Sequence, residues 1–257
     1  MAMDSTDPQA DISEGLEQAR LQFIDLVAHE LKQPMTAIQG YTTLLRLGMG
    51  GELNETQRQF VDVIHANVGR MGSLVNNLLE ISRLEAGRIR LEFARVDLKT
   101  VVEEVVTAAR SEIDARDHVL QIDLAEGLPQ AWGDRQRLAQ ILTHLLSNAC
   151  RYTPQGGTIR IAVDLCHAPQ LPAGHLRVSV TDTGIGLTPE EIASLDKFFR
   201  ADHDFVQQQA GSGLGVPIAR GLVALHGGEF WVESEPQRGS TFSFTVPPAG
   251  GRPRGPG

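Results

Sequence analysis

Residues 27–38 read VAHELKQPMTAI, a helix-forming run that holds a histidine, a glutamate beside it and a proline five residues after the histidine. Around it, Ile24, Val27, Leu31, Ile38 and Leu45, with Pro34 and Tyr41 at the remaining steps, alternate spacings of three and four, the period of a coiled-coil seam. GMGGELN at 48–54 ends this helix, and Asn54 followed three residues later by Gln57 predicts a capping box that starts a second one. Val61, Ile64, Val68, Met71, Val75 and Leu78 repeat the spacing. A single two-helix hairpin cannot enclose both stripes, whereas two hairpins side by side make a four-helix bundle that does. A homodimer is therefore expected.

With Ile24 at position a and Val27 at d, His29 falls at f, the outermost position of the heptad. Gln33 lies one turn later on the same face, and Glu30 can reach the imidazole from the side. Pro34 removes the amide that would bond the carbonyl of Glu30 and kinks the helix, at a cost of ~3 kcal/mol or more. Taken alone, HExxxP leaves two readings open: a solvated surface histidine and an accessible nucleophile.

Composition narrows the classes of function. A chain of 257 residues, 41% hydrophobic and 21% charged, can bury one large core or two modest ones. Its net charge of −9 gives no electrostatic reason to expect nucleic acid or an anionic membrane as partner. No window approaches the ~18 apolar residues of a membrane span. The start, MAMDSTDPQADISEG, lacks the basic and apolar regions of a signal peptide. Cys150 and Cys166 show neither CxxC spacing nor clustered histidines, so no disulfide framework or zinc site is indicated. A soluble chain in a reducing cytoplasm is expected.

Near residue 96 the pattern changes. Alternation at Leu120, Ile122, Leu124, at Ile159, Ile161, Val163, Leu165, at Leu176, Val178, Val180 and at Phe242, Phe244, Val246 predicts strands. Helical segments near 97–110, 134–152 and 214–226 lie between them. The implied class is α + α/β: a dimeric helical bundle, then a two-layer α/β sandwich.

Three features of the second half suggest a nucleotide. In TDTGIG, 181–186, Asp182 is in phase with Leu176, Val178 and Val180, so its carboxylate points to the covered side of the sheet and needs a donor such as the amine of adenine. Gly184 and Gly186 would let the backbone approach a ring, although Asp and Gly also favour an ordinary strand-ending turn. In the helix GDRQRLAQILTHLLSNACRYTP, Asn148 sits at the edge of the buried stripe with His144 and Arg151 further round. Its amide reads as a boundary residue or as an oxygen ligand for Mg²⁺. In QQQAGSGLGVPIARGLVALHGG, Gly211, Gly213 and Gly215 precede an amphipathic helix whose free amides would face an anion. The context is neither a Rossmann fingerprint nor a Walker loop, and the HRD and DFG signatures of eukaryotic-type protein kinases do not occur.

The order of motifs is more telling than any one of them. AHELKQP, LLSNACRYTP, DTGIG, KFFRAD, GSGLG and GSTFSFTVP closely resemble, in that order and spacing, the H, N, G1, F, G2 and final glycine boxes of bacterial sensor histidine kinases, over about residues 20–247. The resemblance implies a dimerisation and histidine-phosphotransfer domain at 21–95 and, at 96–247, an ATP-binding domain of the type shared with gyrase and heat-shock chaperones. By resemblance His29 is the phosphoacceptor, Glu30 its acid–base partner and Gln33 a candidate for positioning water in the reverse, phosphatase reaction. Asn148 then helps hold Mg²⁺, Asp182 reads adenine with Gly184 and Gly186, Tyr152 lies near the base and Arg151 near the phosphates. The GSGLG run, Gly211, Gly213, Leu214 and Gly215, contacts phosphate, and 187–213, with Lys197, Arg200 and Gln207–Gln209, forms a mobile lid. The phosphoryl group then passes to an aspartate of a response regulator docked on the bundle.

Two positions depart from the family pattern. His144 stands where the kinases usually have asparagine, and Gln33 where threonine or asparagine is common. Residues 1–20 read as a linker running into the signalling helix and 248–257 as a disordered tail. The sensory input is expected to lie outside this chain, whose parent is membrane-attached if the chain is a truncated fragment. An ATP-hydrolysing clamp and a non-catalytic nucleotide-binding scaffold are the competing readings.

Overall fold

A computed structural model of the chain describes residues 8–166, 174–195 and 213–250, with side chains from Leu21 onward. It divides into two units, Met1–Ile89 and Arg90–Gly257.

The first unit is a helical hairpin of α1 (Pro8–Arg46) and α2 (Glu55–Glu85). Helix α1 runs unbroken through Pro34. The expected capping box starts α2: the Gln57 amide donates to Asn54 Oδ1 at 2.9 Å, and the Asn54 amide donates to Gln57 Oε1 at 3.0 Å. Arg46 with Asp62 at 2.8 Å and Arg83 with Asp25 at 3.0 Å set the helices antiparallel.

The seam inside the hairpin uses part of the expected α2 stripe but a different stripe on α1. On α1 the buried residues are Ala28, Met35 and Thr42, a heptad apart, and they face a stripe on α2 that includes Val61, Val68 and Leu79. Met35 Cε fills the space over Gly72, and Thr42 Oγ1 lies 3.0 Å from His65 Nδ1. The bulkier α1 stripe of Val27, Leu31, Ile38 and Tyr41 is exposed, as are Ile64, Met71 and Leu78 on α2. Small, flexible and hydroxyl-bearing residues let the two helices of one chain approach, which leaves the large aliphatic groups uncovered. His29 is therefore not opposite the chain's own seam. It follows buried Ala28 directly, about 100° round the helix, and is exposed.

The second unit is a two-layer sandwich. Strands β1 (Ala94–Val96) and β3 (Ala131–Gly133) pair antiparallel. The main sheet has the order β2-β4-β5-β7-β6, from β2 (Val119–Leu124), β4 (Thr158–Leu165), β5 (Leu176–Asp182), β6 (Phe230–Glu235) and β7 (Gly239–Val246). β2 and β4 are parallel, and the other neighbours are antiparallel. Helices α3 (Leu98–Ala115), α4 (Arg135–Tyr152) and α6 (Gly215–Leu225) form the second layer, with α4 against both others; α5 (Pro189–Ser194) is a single capped turn and a half. Register puts Ile161, Val180 and Phe242 in one row, all buried on the helix-covered face.

Residues 94 and 95, within the stretch read from sequence as helical domain, thus pair into the second unit. So does the start of the stretch read as a tail. Pro248 bridges to Ala131, and the Ala249 amide donates to the Gln130 carbonyl at 2.6 Å. Among the described residues no helix is long and apolar enough to cross a membrane.

Candidate functional site

Strand β5 alternates buried and half-buried residues to its last position, so Asp182 follows Val180 onto the covered face and is only 5% exposed. Its Oδ1 accepts from the Gly184 amide at 2.8 Å, and the Ser240 amide on β7 also donates to the carboxylate. These bonds offset the burial only in part: desolvation pushes the Asp182 carboxyl up to about 6. A buried carboxylate held by two amides still has acceptor capacity for a donor from outside the chain.

The turn after Asp182 is pinned on two sides. The Ile185 amide donates to the Tyr152 carbonyl at the end of α4 (3.2 Å), and the Gln237 amide donates to the Ile185 carbonyl at 2.7 Å. A Cβ on Gly184 would lie 2.4 Å from the Tyr152 carbonyl oxygen and 2.6 Å from Asp182 Oδ1. Gly186, at φ 66°, would place one 2.0 Å from the Glu235 carbonyl. Gly239 and Ser240 open the GSTFSFTVP box. Gly239, at φ 100°, lies so close that a Cβ there would meet the Asp182 carbonyl at 1.9 Å.

Helix α4 presents the half-buried Asn148, Arg151 and Tyr152 along one flank and toward its C-terminal end. His144 lies one turn before Asn148, and its Nδ1 would be 3.3 Å from a Cβ on Gly215, the first residue of α6. The α4 flank therefore meets the start of α6. Gly213 precedes that start at φ 70°, and Leu214 is its N-cap without a side-chain capping bond. Main-chain amides at such a helix start suit an anion. Gly211, Lys197, Arg200 and Gln207–Gln209 lie outside the described residues. Of the segment 187–213, the described part holds α5, whose Thr188 and Glu191 form a capping box.

In the hairpin, His29, Glu30 and Gln33 are all exposed. Gln33 Nε2 lies 3.4 Å from His29 Nε2. An amide nitrogen donates, so it can bond Nε2 when the ring carries its proton on Nδ1, the tautomer whose lone pair lies on Nε2.

Among the described residues no cluster of three His, Cys, Asp or Glu side chains forms a metal cage. Mg²⁺ fits such a site only when it shares its shell with phosphates and water. Asn148 offers one amide oxygen. His144 Nε2 is buried without a hydrogen-bond partner among the described residues, and burial pushes the ring down to about 4, so it is neutral at pH 7.

A sandwich with a buried carboxylate at the sheet end and a helix start without a side-chain cap packed on α4, in one chain with an outward histidine on a hairpin, defines the class of ATP-dependent histidine phosphotransfer proteins. Residues 19–87 match the His Kinase A (phospho-acceptor) domain, and residues 133–250 match the histidine kinase-, DNA gyrase B- and HSP90-like ATPase family. The chain belongs to the histidine kinases and carries their catalytic core. It is 32% identical over 235 residues to the histidine protein kinase DivJ of Caulobacter vibrioides, an alignment that covers 91% of this chain and 38% of DivJ. It superposes on full-length ShkA in complex with AMPPNP with a TM-score of 0.72 and 28% identity, covering 89% of this chain and 46% of ShkA. The histidine kinase ThkA in complex with the response regulator protein TrrA matches with a TM-score of 0.62 and 25% identity, over 96% of this chain and 68% of ThkA. The chain thus spans little more than a third of DivJ and under half of ShkA.

Proposed function

We propose that the chain is a homodimeric histidine autokinase that transfers the γ-phosphoryl group of ATP to His29 and then to an aspartate of a response-regulator receiver domain, in the cytoplasm. The observation that carries the reading is the joining, in one chain, of an exposed imidazole, His29, to a domain whose buried carboxylate, Asp182, has acceptor capacity for a donor from outside the chain. In this reading Nε2 attacks the γ-phosphorus, the N–P bond forms as the bond to the β-phosphate oxygen breaks, and ADP leaves. Glu30 accepts the Nδ1 proton, which prevents a persistent positive charge on the ring. Mg²⁺, when bound, neutralises the phosphates, and the protein's share is mainly alignment. Asp182 accepts from the adenine amine, Gly184 and Gly186 admit the ring, and Tyr152 flanks it. Arg151, with Lys197 and Arg200, serves the phosphates, and Gly211, Gly213, Leu214 and Gly215 supply main-chain amides. Asn148 holds the cation.

Dimerisation is supported by the uncovered aliphatic stripe of Val27, Leu31 and Ile38, which a second hairpin would bury. Phosphotransfer to a receiver aspartate is supported by the family membership and by the regulator bound to ThkA.

The test is incubation with γ-labelled ATP and Mg²⁺. Acid-labile, base-stable label on wild type, absent from His29→Gln with ATP affinity within about twofold, is the expected result. Free phosphate without protein label would favour an ATPase clamp, and neither product a scaffold. Undiminished acid-labile label on His29→Gln would overturn the assignment of His29.

A further inference from the structure

The buried histidines of the second unit fall into two kinds. His226 donates from Nδ1 to the Leu222 carbonyl at 2.7 Å and accepts at Nε2 from the Asp134 amide at 3.0 Å, so it is satisfied inside the fold. His118 Nε2 lies 3.2 Å from the carbonyl oxygens of Thr153 and Pro154. His118 Nδ1, His175 Nδ1 and His144 Nε2 are each buried with no partner among the described residues, although a ring nitrogen without a bond is costly in a folded interior. Of the three, His144 is set apart by its position. It precedes Asn148 by one helical turn on the same flank, and its ring packs on Gly215 where α6 begins, at a distance that only a glycine there leaves comfortable.

We infer that His144 is a ligand to the divalent cation accompanying the nucleotide, and that it turns the site's preference from Mg²⁺ towards cations that accept nitrogen, such as Mn²⁺ and Co²⁺. This rests on the nucleotide reading given above. The chemistry follows from the donor set. Mg²⁺ holds oxygen ligands in a near-ideal octahedron, whereas first-row transition ions take imidazole nitrogen more readily. Asparagine, usual here in the kinases, would offer an amide oxygen from the same turn of helix. Imidazole at the position removes that oxygen and supplies a nitrogen lone pair, available because burial keeps the ring neutral at pH 7. The described residues offer no carboxylate cage to override the choice, so the few protein ligands and the phosphates decide it together.

The experiment uses the full chain with ADP, which binds without turnover. Affinity is titrated in Mg²⁺ and in Mn²⁺ for wild type and His144→Asn, and electron spin-echo envelope modulation is recorded on the Mn²⁺–ADP complex with natural-abundance and with ¹⁵N-histidine protein. The expected result is a histidine nitrogen coupling in wild type that changes with the ¹⁵N label and is lost in His144→Asn. The Mn²⁺ over Mg²⁺ preference should fall about tenfold in the variant, a difference of about 1.4 kcal/mol. Since the spectrum of wild type alone decides ligation, a variant that folds poorly does not spare the inference. ADP binding with no histidine coupling overturns it and leaves the nucleotide reading intact. So does an affinity that falls equally with both cations, because the ring then donates to phosphate instead. No ADP binding with either cation overturns both readings.

Discussion

In the proposed function Asp182 ties the fold to ligand selection. Its place was legible in sequence because strand alternation is strict: three aliphatic residues two apart put the next position in the chain's core, whatever its type. Its partners were not legible, since the Ser240 amide comes from the far end of the chain through β5–β7 pairing. Desolvation raises its folded pKa from 3.8 to about 6, so without ligand Asp182 stabilises the fold below pH 4, and that contribution is lost as pH rises through 6. The shift corresponds to on the order of 2–3 kcal/mol. Asp182→Asn should therefore flatten the decline in stability between pH 4 and 6, seen by chemical denaturation of the apo protein. Adenine would bind the ionised form, so wild-type nucleotide affinity should weaken as pH falls below about 6, while the variant's should not follow it. At pH 8 the asparagine amide would meet the adenine amine donor to donor, and affinity should drop by the ~1–3 kcal/mol of a buried pairing, roughly five- to 150-fold. A fluorescent-nucleotide titration giving equal affinities would make Asp182 a turn residue only.

At the scale of elements, the sequence showed what repeats and hid what is small. The four strands with clear alternation, the three long helices of the second unit and the Asn54–Gln57 capping box were all readable. β1 and β3 are three residues each, too short for a period to register. β6 begins Phe-Trp-Val and is mostly half-buried, so it lacks the alternation of a one-sided strand. On α1 the chain's own seam of Ala28, Met35 and Thr42 was masked by the larger Val27, Leu31 and Ile38 beside it, because hydrophobic periodicity favours bulk over contact. Close approach of elements is equally silent in sequence, yet it makes a sharp prediction. Gly184 lies where the β5 turn meets the last carbonyls of α4, and a methyl group would sit 2.4 Å from the Tyr152 backbone oxygen. That neighbour is main chain and cannot swing aside. Gly184→Ala should push the turn off α4, disturb the bond from Gly184 to Asp182 and abolish measurable nucleotide binding. Thermal unfolding should show a destabilised second unit, with the hairpin's helicity retained.

At the scale of the molecule, the proposed function needs a second copy and a regulator, and each has a surface to test. Ile38 is 42% exposed in the single chain, at the centre of the uncovered stripe. Under a two-fold axis any charge placed there meets its own copy. Ile38→Glu should yield monomers by light scattering with helicity unchanged by circular dichroism; a persistent dimer would place the interface on another face. The test that involves the regulator lies one turn from His29, the proposed phosphoacceptor. Gln33 sits on the exposed flank with its amide 3.4 Å from His29 Nε2, and in the proposed phosphatase role that amide would hold the water that attacks a presented phosphoaspartate. Alanine cannot hold it. Gln33→Ala should leave autophosphorylation largely unchanged, since the attacking lone pair belongs to His29, and should slow the decay of phosphorylated regulator. A loss of autophosphorylation instead would assign Gln33 to orienting the nucleophile through this contact. The assay compares wild type and variant at equal dimer concentration with ADP present. Equal decay, faster than the regulator alone, would remove Gln33 from the water-positioning role, and decay equal to the regulator alone in both would mean that the protein has no phosphatase activity at all.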